Sequence, residues 1–195
     1  MIRILAVCTG NVCRSPYLER RLQAALEETA PGGFEVRSTG TAALLGAPME
    51  PGSRRELARR GIDGGSFRAR DLEEAEVRAA QIVLTAELAH RRAVVELVPG
   101  ALKRVFTVRE FAALLEAQGA LPEAGLRGGD GPRRSRTRWE RLPDALAPLR
   151  AQVRSRALEV ADPYRQGPEA FGRMARELDA AVETVTMWER RMRRG

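Results

Sequence analysis

The chain has 195 residues, 44% of them hydrophobic, which is sufficient for the core of one domain and predicts a single domain over residues 1–195. The 33 Lys and Arg residues outnumber the 26 Asp and Glu residues, but aromatic residues make up only 5% and no recognition motif is present, so nucleic acid is not an expected partner. No apolar stretch reaches about 18 residues, and a membrane span is therefore not expected.

Strand and helix patterns alternate along the chain. Short aliphatic runs predict strands at residues 2–7, 34–37, 81–84 and 104–106. Apolar residues at helical spacing, with Pro or Gly near the boundaries, predict helices at residues 16–29, 51–60, 72–79, 87–97, 108–117 and 168–193. This alternation predicts an α/β three-layer sandwich, in which a central, mostly parallel, four-stranded twisted sheet carries helices on both faces.

Residues 118–157 depart from the alternation. Gly and Pro recur up to residue 132 and predict a loop, an arginine-rich run follows, and a helix is predicted from Leu142 to Leu158. We interpret the segment as a surface insertion. The alternative is a cap near the functional site, in which Trp139 among arginines would dock an acidic phosphopeptide.

The segment between the first strand and the first helix carries the strongest chemical pattern, Cys8-Thr9-Gly10-Asn11-Val12-Cys13-Arg14-Ser15. Gly10 permits a positive φ at the bend, and Asn11 tolerates one. Backbone N–H groups of such a loop and the following helix N-terminus bind phosphate, and Arg14 adds a fork for two phosphate oxygens. The same positive field favours a thiolate at Cys8, which can attack phosphorus. The alternative is a buried structural cysteine near an unrelated surface arginine.

Residues 7–16 closely resemble the signature of the low-molecular-weight protein-tyrosine phosphatases. Residues 161–165, Ala-Asp-Pro-Tyr-Arg, resemble the general-acid loop of that family, and residues 38–41 are similar to the segment after its second strand. The resemblance covers residues 1–107 and 158–190, so that 118–157 is atypical of the family. It implies hydrolysis of phosphotyrosine in proteins through a cysteinyl-phosphate intermediate, with no cofactor and no metal.

The resemblance also assigns roles to individual residues. Cys8 is expected to be the nucleophile, Arg14 the phosphate clamp, and Asp162 the general acid and then the general base. Leu44 and Tyr164 are expected to form opposite walls of the substrate cleft, although a structural role of Tyr164 is an alternative. The remaining loop residues are expected to surround the phosphate, with Ser15 bonded to the nucleophilic sulfur and Asn11 bracing the loop: Thr9, Gly10, Asn11, Val12, Cys13 and Ser15.

The two cysteines also bear on location and redox chemistry. Functional thiols suit a reducing compartment, and we expect a cytoplasmic protein. Because Cys8 and Cys13 lie in one curled loop, oxidation is expected to join them in a reversible disulfide. The expected partner is a tyrosine-phosphorylated protein, including a bacterial tyrosine kinase, because Leu44 and its neighbours resemble the bacterial subgroup associated with such kinases.

Two departures from the family pattern are present, and two other functions compete. Phe67 stands where many relatives have a histidine that supports the phosphate loop, and Thr85-Ala86-Glu87 replaces a common Met-Asp or Met-Thr pair. The sole histidine, His90, is expected on a polar helix surface. Arsenate reduction would require cysteines beyond Cys8 and Cys13. A catalytically weak phosphotyrosine-binding module would not need Cys8, Arg14 and Asp162 together.

Overall fold

The computed structural model describes residues 1–119, 132–153 and 158–194. Four strands form one sheet in the order β2-β1-β3-β4, and every neighbouring pair is parallel. The strands are β1 Ile2–Cys8, β2 Phe34–Gly40, β3 Ile82–Thr85 and β4 Val105–Thr107. The chain passes from β1 to β2 on one side and then to β3 on the other, so the strand order reverses at the carboxyl end of β1, where a ligand site is expected.

Seven helices accompany the sheet in the described part of the chain. They are α1 Arg14–Thr29, α2 Pro51–Ala58, α3 Glu74–Ala79, α4 Leu88–Leu97, α5 Val108–Gly119, α6 Pro132–Leu146 and α7 Pro168–Arg194. Short 3-10 helices cover Pro99–Arg104 and Ala147–Ala151. None of the helices in this part of the chain combines the length and apolar character that crossing a bilayer requires.

The side chains of β1 alternate between two apolar clusters on opposite faces of the sheet. Ile2, Ile4 and Ala6 belong to a large cluster that includes residues of α1, α5, α6 and α7. Leu5 and Val7 belong to a smaller cluster with residues of α3 and α4. Successive side chains of a strand point to opposite faces, so β1 is buried by helices on both sides. The predicted three-layer α/β fold is confirmed.

Helix α6 corrects two predictions for residues 118–157. The helix covers Pro132–Leu146, not Leu142 to Leu158, and the predicted loop before it lies largely outside the described residues. Trp139 is fully buried, its ring centroid 5.2 Å from that of Phe34 and 5.6 Å from that of Trp188. It therefore cannot dock a phosphopeptide. One face of the described part of this segment packs into the core, where Trp139, Leu142 and Leu146 recur at helical spacing.

Candidate active site

The loop after β1 is held from outside through its carbonyl groups. The backbone N–H groups of Thr41, Ala42 and Leu44 donate to the carbonyls of residues 8, 9 and 10 at 2.9–3.0 Å. Glu50 N donates to residue 12 at 2.9 Å and Ser53 Oγ to residue 13 at 3.1 Å. In contrast, no backbone N–H of residues 10–13 donates a hydrogen bond within the described parts of the chain. The loop therefore presents unpaired N–H groups ahead of the α1 N-terminus, an arrangement that binds anions.

The close approach of β2 to this loop depends on Gly40. A Cβ at Gly40 would lie 2.3 Å from the Thr9 carbonyl oxygen and 3.0 Å from Asn11 N. Gly40 pairs with Cys8 at the end of β1. A glycine at the end of β2 therefore lets the two backbones meet directly beneath the loop.

Asn11 makes the bend and braces it. Its φ is +51°, whereas the φ of Gly10 is not positive. The expected positive φ at Gly10 is therefore wrong. The Asn11 amide nitrogen donates to Ser15 Oγ at 2.8 Å and Ser38 Oγ at 2.9 Å. Its oxygen accepts from Arg70 N at 2.8 Å. All polar atoms of this fully buried side chain thus tie the loop to β2 and to the segment before α3.

Phe67 occupies the position at which a histidine was expected from the family pattern. The ring is buried in the large core cluster and offers no polar atom to the loop. The polar support of the loop comes instead from the Asn11 side chain and from the hydrogen bonds that the loop carbonyls accept.

Cys8 and Ser15 form a polar contact on the floor of the site. Cys8 is 2% exposed, and its Sγ lies 3.0 Å from Ser15 Oγ. Because Asn11 donates to that same oxygen, the Ser15 hydroxyl proton is available to the sulfur or to the Thr39 carbonyl oxygen at 3.3 Å. Burial raises the pKa of the Cys13 thiol well above its ordinary value, and the charge of Asp162 raises it further. Cys13 is therefore held as a neutral thiol.

The Arg14 side chain is buried among carboxylates. Its Nη1 is paired with the Glu87 carboxylate and also donates to the Val160 carbonyl oxygen at 3.0 Å. Its Nη2 lies 2.9 Å from Asp162 Oδ2. Its Nε is buried and has no hydrogen-bond partner in the described structure. A phosphate oxygen that enters the cleft lined by Arg14 would compete with Asp162 for the guanidinium group.

Asp162 lies on the segment between the second 3-10 helix and α7. Its Oδ1 accepts from Tyr164 N at 3.2 Å, and its carbonyl accepts from Gln166 Nε2 at 2.7 Å. Val160 N donates to the Ala86 carbonyl at 2.9 Å, which fixes the start of the segment to the end of β3. The Asp162 side chain is 44% exposed, so that water can reach its carboxylate.

One cleft collects most of the expected site residues. It has a volume of about 160 Å³ and is lined by Cys8, Thr9, Gly10, Val12, Cys13, Arg14, Ala42, Leu44, Asp162 and Tyr164. Asn11 and Ser15 do not line the cleft. Both are buried, and they bond to each other beneath the loop surface. The described residues contain no group of three or more His, Cys, Asp and Glu side chains arranged to hold a metal ion.

His90 is not on the surface, and that expectation is wrong. It is 4% exposed, and its Nε2 lies 2.8 Å from Thr9 Oγ1. Its Nδ1 accepts from the Glu87 backbone N–H at 3.1 Å, while the Glu87 side chain accepts from the His90 backbone N–H. Sequence reasoning missed both residues, although their spacing is that of a capping box.

Comparisons with known proteins show what the chain is similar to. A family model described as low molecular weight phosphotyrosine protein phosphatase matches residues 3–147. The probable low molecular weight protein-tyrosine-phosphatase EpsP of Ralstonia solanacearum is 36% identical over 108 residues, which cover 55% of this chain and 71% of the relative. The protein-arginine-phosphatase of Geobacillus stearothermophilus is 33% identical over 123 residues, covering 63% of this chain and 80% of that protein.

Solved structures match over nearly the whole chain. The low molecular weight protein tyrosine phosphatase from T. tengcongensis superposes with a TM-score of 0.67 at 26% identity, covering 95% of this chain and 97% of the other. The YwlE arginine phosphatase from Geobacillus stearothermophilus also has a TM-score of 0.67, at 24% identity, and the match covers 96% of this chain and 92% of the other. The family-model match ends before Asp162, so the role of this residue depends on its geometry.

Proposed function

The chain belongs to the low molecular weight phosphotyrosine protein phosphatase family, a family of enzymes, and we propose that it hydrolyses phosphotyrosine in proteins through a cysteinyl-phosphate intermediate on Cys8. The observation that carries this proposal is the single cleft in which Cys8, Arg14 and Asp162 meet. The unpaired N–H groups of residues 10–13 support it, because they supply an anion cradle above the sulfur.

The first chemical step transfers the phosphoryl group to sulfur. The Cys8 thiolate attacks phosphorus, the S–P bond forms, and the P–O bond to the tyrosyl oxygen breaks. Asp162 donates its proton to that oxygen as it leaves. The loop N–H groups and Arg14, including its free Nε, stabilise the charge on the three equatorial oxygens.

The second step returns the enzyme to its starting state. Asp162, now a carboxylate, removes a proton from a water molecule that attacks phosphorus, and the P–S bond breaks. The electron pair returns to sulfur, and the Ser15 hydroxyl, whose Oγ lies 3.0 Å from Cys8 Sγ, donates to the thiolate and stabilises it. Inorganic phosphate then leaves the cleft.

The walls of the cleft favour an aromatic leaving group. The cleft walls are apolar and aromatic, and they are formed by Val12, Ala42, Leu44 and Tyr164. An aromatic ring can pack against such a surface. The competing substrate is phosphoarginine, because a relative of 33% identity is named a protein-arginine-phosphatase. A guanidinium group prefers carboxylate and aromatic partners. Among the described residues, Asp162 is the only carboxylate that lines this cleft, which favours tyrosine over arginine as the leaving group.

The deciding experiment compares two peptides of identical sequence, one with phosphotyrosine and one with phosphoarginine, without added metal. We expect kcat/KM to be at least tenfold higher for phosphotyrosine. Equal or reversed values would reject the tyrosine assignment. Binding of the phosphotyrosine peptide without release of phosphate would indicate a binding module, and thiol-dependent reduction of arsenate would indicate the reductase alternative.

We further propose that the enzyme works in the cytoplasm on a tyrosine-phosphorylated protein such as a bacterial tyrosine kinase. The free cysteines Cys8 and Cys13 support a reducing compartment. Relatives named low molecular weight protein-tyrosine-phosphatases Wzb and Etp, from Escherichia coli, support a bacterial phosphoprotein as substrate.

A further inference from the structure

The N-terminus of α4 contacts both ends of the phosphate loop. At the beginning of the loop, Thr9 Oγ1 lies 2.8 Å from His90 Nε2. At its end, the Arg14 guanidinium pairs with the Glu87 carboxylate. Glu87 and His90 are themselves joined by two reciprocal hydrogen bonds of a capping box. The four residues therefore form one continuous connection between the two ends of the loop, which passes through the backbone N–H groups of Glu87 and His90.

The hydrogen bonds of His90 determine which ring nitrogen carries the proton. The Glu87 backbone N–H can only donate, so His90 Nδ1, at 3.1 Å, must be the acceptor. A neutral imidazole then carries its proton on Nε2 and donates it to Thr9 Oγ1. The Thr9 hydroxyl proton is thereby directed away from His90 and is available to an oxygen bound in the cleft that Thr9 lines.

We propose that neutral His90 is a positioning residue, which orients the Thr9 hydroxyl in the phosphate loop and, through Glu87, the Arg14 guanidinium. This inference rests on the proposed function, because it concerns how the same loop receives a phosphoryl group. His90 acts only through Thr9 and Glu87. It does not line the cleft.

Protonation of His90 breaks this connection. An imidazolium carries hydrogen on both nitrogens, so Nδ1 would face the Glu87 N–H with a second donor. The charged groups around the ring are Glu87, Arg14, Asp162 and Glu159. Burial is the main cause that lowers the pKa of His90, and the charge of Arg14 lowers it further. The three carboxylates raise the pKa but do not outweigh these two effects. The connected form therefore persists at neutral pH and is lost in acid.

The tautomer can be observed directly, because His90 is the only histidine of the chain. Long-range ¹H–¹⁵N spectra of the untagged full-length protein should show a protonated Nε2 and an unprotonated Nδ1 at neutral pH. Titration with inorganic phosphate should shift the Nε2 resonance as the loop fills. A protonated Nδ1, or a ring insensitive to phosphate, would overturn the proposal.

Kinetics on para-nitrophenyl phosphate separate positioning from folding. His90→Gln retains an acceptor for the Glu87 N–H, as glutamine does in a capping box, but it loses the bond to Thr9 and cannot titrate. We expect its kcat/KM to fall about three- to tenfold at neutral pH, the loss typical of one neutral hydrogen bond. Arg92→Gln, an exposed substitution on the same helix, is the matched control and should retain the wild-type value.

Two further kinetic measurements distinguish a positioning role of His90 from a purely structural one. The Thr9→Val and Thr9→Val/His90→Gln proteins should have the same kcat/KM, because His90→Gln keeps the bond to the Glu87 N–H and removes only the contact with Thr9. The ratio of wild-type to His90→Gln kcat/KM should decline as pH falls through the pKa measured for His90 by NMR, because only the wild-type side chain then loses its acceptor for the Glu87 N–H. Contributions of Cys8 and Asp162 cancel in that ratio.

The outcomes distinguish this inference from the proposed function. In an active wild-type protein, any of three results would reject the positioning role and leave the phosphatase assignment standing. These are a kcat/KM of His90→Gln equal to that of Arg92→Gln, losses at Thr9 and His90 that multiply, and a ratio of wild-type to His90→Gln kcat/KM that is independent of pH. If the wild-type protein hydrolyses no aryl phosphate, the proposed function fails, and the tautomer and phosphate titration still decide the role of His90.

Discussion

Replacement of Glu189 tests how α6 is attached to the rest of the protein. Glu189 on α7 is fully buried. Its Oε1 accepts from Arg138 Nη2 at 2.9 Å and from Ser135 Oγ at 3.1 Å, and its Oε2 accepts from Trp139 Nε1 at 2.9 Å. All three donors belong to α6. One carboxylate therefore neutralises a buried guanidinium and satisfies two further donors.

The expected cost of Glu189→Ala follows from these contacts. Removing one partner of a buried ion pair leaves an uncompensated charge and typically costs about 3–5 kcal/mol. The unpaired Trp139 N–H adds part of the same desolvation penalty, so the two costs do not simply sum. We expect the free energy of unfolding to fall by about 3–5 kcal/mol. At about 2–4 °C per kcal/mol for a chain of this size, Tm should fall by roughly 6–20 °C.

Urea and thermal unfolding followed by circular dichroism would measure this loss. Glu183→Ala is the matched control, because Glu183 lies on the same helix and is exposed, so its substitution should change stability by less than about 0.5 kcal/mol. A loss at Glu189 no larger than the loss at Glu183 would refute the buried attachment of α6. The Asp162 cleft lies outside this network, so activity per folded molecule should persist.

Three further predictions concern the cleft. Cys8→Ser should abolish turnover of para-nitrophenyl phosphate while phosphate still binds, because the serine hydroxyl stays protonated near neutral pH; substantial residual activity in purified protein would defeat the nucleophile assignment. Asp162→Asn should lower kcat by about 10²–10⁴-fold for poor leaving groups and less for good ones, and equal losses across a series of aryl phosphates would remove Asp162 from the acid role. Peroxide should convert Cys8 to a sulfenic acid that condenses with the Cys13 thiol, releasing water and forming a disulfide. Thiol reductant should then restore activity in the parent and far less in Cys13→Ser, and equal recovery would reject a protective role of Cys13.

The parts of the fold that could be predicted from the sequence have local signals. Strand β1 is a short aliphatic run interrupted only by Arg3, and α7 shows apolar residues every three or four positions along its length. The loop between β1 and α1 combines a distinctive order of residue types with a position between a strand and a helix. Because each of these signals lies within about twenty residues, no knowledge of distant contacts was needed to place Cys8 and Arg14 at the carboxyl end of β1.

Helix α6 could not be predicted correctly because two local signals conflict. Its arginines indicate a solvated segment, whereas Trp139, Leu142 and Leu146 form an apolar stripe on one face. The charge of Arg138 is buried only because Glu189, on another helix, neutralises it at 2.9 Å. Residue composition cannot reveal such a partner, and a buried arginine is rare without one.

The surroundings of Arg14 show the same limit at the site itself. Glu87 is 73 residues from Arg14 along the chain, and Val160 is 146 residues away. The helical pattern of α4 assigned His90 to a polar face, but the strand order brings the start of α4 beside the loop after β1. A polar side chain at that position is buried because it has fixed partners in Thr9 and Glu87. Motifs therefore identify the groups that react, whereas the sheet topology determines which distant groups orient them.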